Sequence, residues 1–136
     1  MHNIKLFITT ILLFFLLDMA WLGVIGKNLY ADAIGGLFRK ANGNFAPNWC
    51  AGILVYIFFA LGILCFVLPK TSGNYWLALY WGGLFGALTY GVYDFTNYST
   101  LANWPLSITL IDWLWGAILC AVTSLSASFV DRLVTS

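Results

Sequence analysis

Three aspartates set in apolar surroundings are the residues of this sequence most able to do chemistry: Asp18 in LLDMAWLG, Asp94 in GVYDFTN and Asp112 in TLIDWLWG. An ionised carboxylate in the middle of a membrane helix costs about 2.5–3.5 kcal/mol on insertion scales, so it is kept with a partner or for a purpose. No Lys or Arg lies in the same apolar segments. The carboxyls are left to hold protons, to share them in coupled titration, to accept hydrogen bonds from Tyr and Trp, or to bind a cation.

Helical spacing supplies donors beside each acid. Trp21 follows Asp18 by one turn and Trp115 follows Asp112 in the same way, which repeats a short D-x-x-W pattern. Tyr90 and Gly91 precede Asp94, and Asn97 and Tyr98 follow it. The candidate ligand-binding set is therefore Asp18, Trp21, Tyr90, Asp94, Asn97, Asp112 and Trp115. Polar groups also serve simply to hold membrane helices together, at about 0.6 kcal/mol per interhelical bond. Aromatic residues near loops commonly anchor a span at the interface, and Trp49, Tyr75, Trp76 and Trp104 are read in that way. Asp94 has a further reading as the residue that ends its helix or caps the following turn.

The composition says what must position these residues. Of 136 residues, 62% are hydrophobic, 18% aromatic and 8% charged, against roughly 25% charged in a soluble domain. An integral membrane protein follows. Apolar runs over residues 6–25, 49–68, 75–95 and 106–130 are each long enough to cross a hydrocarbon layer of about 30 Å as a helix. The first resembles a signal peptide in having Lys5 before it, but Asp18 stands where a cleavage site wants a small residue, so the run is read as a retained span.

Between the first two runs, Tyr30, Ile34, Leu37 and Phe38 fall at helical spacing while Asp32, Arg39 and Lys40 lie elsewhere. That pattern suits a short interfacial helix, or a loop with anchoring aromatics. Residues 42–47 read as a turn, and residues 69–74 as a tight turn that makes the second and third spans antiparallel neighbours. Gly82 and Gly86 form a GxxxG, and Gly83, Ala87 and Gly91 a second small face, on which a homodimer contact through Gly82, Gly83 and Gly86 is expected. Pro105 suits the first turn of the fourth helix, and Asp131 with Arg132 marks its exit into water.

The expected fold is all-α: one domain over residues 1–136, with four transmembrane helices in an antiparallel bundle and a short interfacial helix between the first two. Asp18 then lies about 10 Å before the end of the first helix and Asp112 about 9 Å after the start of the fourth. Asp94 joins them in the same half of the bilayer. Both termini share one side, where Lys5, Lys70 and Arg132 balance Lys27, Arg39 and Lys40 on the other. The free amino terminus and the uncharged loop over residues 96–104 tilt the termini towards the cytoplasm.

Several classes are disfavoured. A net charge of +1 without a basic cluster gives no basis for binding nucleic acid. Cys50, Cys65 and Cys120 make neither a disulfide framework nor a metal-ligand spacing and are read as small buried side chains. His2, the single histidine, sits at a terminus expected to fray, so no metal site and no cofactor are expected.

The stretch YGVYDFTNYSTLANWPLSITLIDWLWG over residues 90–116, together with DMAWLG over residues 18–23, resembles DUF2177, a family of small bacterial inner-membrane proteins. The resemblance extends over nearly the whole chain. It implies a multi-span protein of the bacterial inner membrane and carries over no catalytic role. Three functions fit the residues. One is a binding or transport protein whose acidic, aromatic pocket takes a cation, a proton or a polar small ligand, with cation to ring attraction of about 0.5–2 kcal/mol. Another is a structural or regulatory membrane subunit. A third, a lipid or isoprenoid enzyme using one aspartate as acid and another as base, lacks a nucleophile–base pair, a histidine box or a paired acidic motif. The balance leans away from an enzyme.

Overall fold

The computed structural model describes residues 1–135, and its elements are almost all helical. Helix α1 covers His2–Ala20 and passes directly into a wide π-turn, Trp21–Ile25. It begins before the apolar run because its first turn is fastened: His2 Nε2 lies 2.7 Å from Asp131 Oδ1, far along the chain. The terminus expected to fray is thus tied down.

Gly26 separates this turn from helix α2, Lys27–Ile34. A Cβ here would come within 3.2 Å of both the Trp21 carbonyl and the Tyr30 ring, so glycine permits the close reversal. Tyr30 and Ile34 are buried against Trp104 and Ile108, and this apolar face decides for a helix over an irregular loop. Leu37, in a following 3₁₀ turn, stays exposed. A small hairpin comes next, β1 (Lys40–Ala41) with β2 (Asn44–Phe45). Asn42 and Gly43 turn it with positive φ of 52° and 78°, as a tight two-residue hairpin requires.

Helix α3, Trp49–Gly62, starts where Asn48 Oδ1 accepts from the Ala51 amide at 3.2 Å. It continues through a second π-turn, Ile63–Val67, into a 3₁₀ turn at Leu68–Lys70. Ser72 and Gly73, both at positive φ, reverse the chain. Asn74 then caps helix α4, Tyr75–Thr100, accepting from the amides of Trp76 (2.9 Å) and Leu77 (3.3 Å). This helix is longer than the apolar run beneath it. Asp94 therefore lies inside α4, fully buried, and neither ends the helix nor caps a turn. Helix α5, Leu106–Thr135, likewise runs on past Asp131 and Arg132.

Three helical stretches are long and apolar enough to cross a membrane: His2–Ile25, Trp49–Lys70 and Leu106–Thr135. Helix α4 has the length, at 26 residues, but its glycines, tyrosines and threonines dilute its hydropathy. It is bound closely to α5 instead. Gly82 meets Ser124, Gly86 meets the Gly116 carbonyl and Cys120, and Gly91 meets Trp113, so contacts run in opposite order along the two helices. Within the chain, Gly82 and Gly86 leave no room for a Cβ against α5, and Gly83 faces Ala117 and Ala121 of the same helix. Large side chains such as Leu12, Leu16, Phe58, Phe66, Leu88 and Leu114 point outward. The interior between helices is narrow, centred on Phe14, Ile63, Leu119 and Cys120.

A buried carboxyl cluster

The antiparallel register of α1 and α5 sets the site. It puts Asp18 opposite Trp115, just as it puts His2 opposite Asp131. Asp18 is 7% exposed, with Oδ1 accepting from Trp115 Nε1 at 3.1 Å and Oδ2 from the Tyr56 hydroxyl of α3 at 3.0 Å. Asp112 is 8% exposed, and its Oδ1 accepts from the Tyr30 hydroxyl at 2.6 Å. The Tyr30 oxygen in turn accepts from Trp21 Nε1 at 3.1 Å. Each tryptophan of the D-x-x-W pairs thus serves the aspartate of the other helix. The indoles stack between them, with centroids 4.8 Å apart and planes 13° from parallel.

Tyr30 is the residue that closes this network from outside the spans. Burial first, then the neighbouring Asp112 carboxylate, push its phenol well above the ordinary tyrosine range. It therefore stays a donor.

Asp94 is unlike the other two. It is 0% exposed and neither carboxyl oxygen has a hydrogen-bond partner of good geometry. The Asp112 carboxyl lies close enough to interact with it directly, and Tyr30 and Tyr93 are within electrostatic reach. Tyr90 fills the space over Gly116 so tightly that no Cβ fits there, and it lies within electrostatic reach of both Asp18 and Asp112. Two acids side by side, one of them without a donor, form an arrangement that a shared proton or a small cation would relieve.

Of the residues expected at the site, Asp18, Trp21, Tyr90, Asp94, Asp112 and Trp115 come together in this way. Asn97 is half-buried next to Tyr93, and no hydrogen bond joins it to a carboxyl. Tyr30 and Tyr56 were not anticipated as partners of the acids. For Tyr56 a signal existed, since a lone hydroxyl in a run as apolar as residues 49–68 needs an acceptor. For Tyr30 none did, because its acceptor lies 82 positions away. Trp104, read as an interface anchor, is instead buried with Tyr30, Ile34 and Ile108. Cys50 and Cys65, read as buried, are exposed on the outer surface, whereas Cys120 is buried.

The cluster is packed rather than open. A concave surface lined by Ile4, Leu6, Leu61, Cys65 and Asp131, and another lined by Leu13, Tyr75 and Phe129, lie towards the opposite end of the helices. Among the described residues no three His, Cys, Asp or Glu side chains gather as a metal site.

Long apolar helices, outward-facing leucines and phenylalanines, and carboxyls held in the interior define a helical integral membrane protein. The chain belongs to DUF2177, described as a predicted membrane protein family, whose family model matches residues 3–129. Neither the curated proteins nor the solved structures contain a match to it.

Proposed function

We propose that this is a four-span protein of the bacterial inner membrane, with both termini cytoplasmic, whose carboxyl cluster binds an exchangeable proton or a small cation. The observation that carries the reading is Asp94, whose two carboxyl oxygens are buried, take no hydrogen bond from a tyrosine or tryptophan, and have the Asp112 carboxyl as their neighbour. An acid kept in that state in a membrane interior is a functional site before it is a structural one. Asp18 does different work. Its oxygens are satisfied by Tyr56 and Trp115, and it ties α1, α3 and α5 together.

In this reading α4 is the fourth span. Its lower hydropathy is tolerated because its glycine face lies on α5 and Asp94 points away from lipid. The bilayer is then the chain's main partner.

The test uses purified protein in detergent. Thermal stability is followed while pH and the concentrations of Na⁺, K⁺ and tetramethylammonium are varied, and infrared spectra are recorded for a protonated carboxyl band. Wild type should show either that band or a cation-dependent rise in Tm, and Asp94→Asn should lose it while remaining folded. A wild type with neither signal would leave the acids as structural ties alone.

A further inference from the structure

The inner face of α5 carries a second set of polar groups with unmet hydrogen-bonding capacity. Hydroxyls on membrane helices usually return to a carbonyl one turn back, and several here do so: Thr10 bonds to the Leu6 carbonyl, Thr109 to Pro105 and the outer Ser126 to Val122. Thr123 and Ser124 do not. Both are 0% exposed, and both hydroxyl oxygens are buried and unbonded. Ser124 Oγ lies directly against Gly82, inside the α4 and α5 contact.

These hydroxyls lie between two titratable ends. On one side is the carboxyl cluster, continued towards them by Tyr90, which is within electrostatic reach of Asp112 and of the buried Cys120. On the other is His2, with Nε2 on Asp131 and Nδ1 buried and unbonded. From Asp112 to Asp131 the helix rises about 28 Å, most of a hydrocarbon layer of about 30 Å, and Tyr30 of α2 links Asp112 to the remaining end of the span. Buried polar atoms without partners are where internal water is held, and chains of acids, histidine and hydroxyls are the usual makings of a proton relay in a membrane.

We infer that α5 provides a proton path through the bilayer, running from the Asp94 and Asp112 carboxyls past Tyr90, Thr123 and Ser124 to the His2 and Asp131 pair, with water bridging the gaps. Each hydroxyl accepts a proton on its oxygen and passes its own to the next group. It regains its starting state by rotation, so one proton leaves one face for each that arrives at the other. The inference rests on the proposed proton site but asks more of the molecule, since binding alone needs no second end.

Full-length protein in liposomes loaded with a fluorescent pH dye provides the test, with a potassium diffusion potential as driving force. Wild type should change the luminal pH in response to that potential faster than protein-free vesicles do. Thr123→Val with Ser124→Ala should return the rate to the protein-free level while keeping the infrared or thermal signature of the carboxyl cluster. Should the double variant fail to fold, Ser124→Ala alone, which only removes an atom from a crowded contact, is expected to slow the flux. Equal flux in wild type and variants would overturn the path, as would absence of wild-type flux. If the cluster signature persists in either case, the carboxyl site stands and only the path falls. If that signature is missing too, both fall.

Discussion

Tyr30 donates its hydroxyl to Asp112 Oδ1 across 2.6 Å, joining the short helix α2 to the last helix of the chain. The bond closes the carboxyl cluster on the side where α1 leaves the bundle, and Trp21 Nε1 holds the same oxygen in place. Tyr30→Phe keeps the ring and removes the donor from a buried acid. Unfolding in detergent should show a loss of about 1–2 kcal/mol. Combined with Asp112→Asn, the loss should be smaller than the sum of the single changes. Strict additivity would mean that the two side chains do not interact.

The same phenol gives a pH dependence. Its proton is held more tightly in the folded chain than in the unfolded one, because burial and the Asp112 carboxylate oppose the phenolate. The stability it contributes is complete below the unfolded tyrosine value of about 10 and is lost as pH rises beyond it towards the folded value. Wild type should therefore lose stability above about pH 10 more steeply than Tyr30→Phe. Parallel profiles for the two proteins would refute this assignment.

Stacked indoles couple optically. With centroids 4.8 Å apart, Trp21 and Trp115 should produce a paired feature in circular dichroism that disappears in either Trp→Phe variant. Trp115→Phe also removes a hydrogen bond to Asp18 and Trp21→Phe one to the Tyr30 hydroxyl, so each should cost about 0.6 kcal/mol beyond the loss of the stack. A spectrum unchanged in both variants would place the rings apart.

Glycine substitutions test the α4 and α5 contact. A Cβ at Gly86 would collide with the Gly116 carbonyl, and one at Gly116 with the Tyr90 ring. Gly86→Ala and Gly116→Ala should each destabilise by about 1–3 kcal/mol. Gly23→Ala, with nothing within 4 Å of the added carbon, should stay within about 0.5 kcal/mol of wild type. Equal tolerance at all three positions would contradict the close approach of these helices.

Membrane character, the α1, α3 and α5 spans and the turn after α3 were legible in the residue string. Hydropathy and helix-ending signals are properties of short windows, and such windows are enough to read them. The amphipathic spacing around Tyr30 was legible too, although only its burial against Trp104 and Ile108 decided between helix and loop. The ends of α4 and α5 were not legible, because both continue past the apolar run, through the polar Asn97 in α4 and past Asp131 in α5.

By itself the sequence determined that Asp18, Asp94 and Asp112 would be costly acids in an apolar medium with Trp and Tyr at helical spacing. Tertiary structure decided which donor serves which acid. Residues three apart on a helix share a face, so Asp18 and Trp21 both look across at α5, where Trp115 donates to Asp18 and stacks on Trp21. The antiparallel register then gives Trp115 to Asp18 and, through Tyr30, Trp21 to Asp112. It also leaves Asp94 beside another acid, with no tyrosine or tryptophan donor. That isolation depends on how four separate segments meet, and no window of sequence contains it.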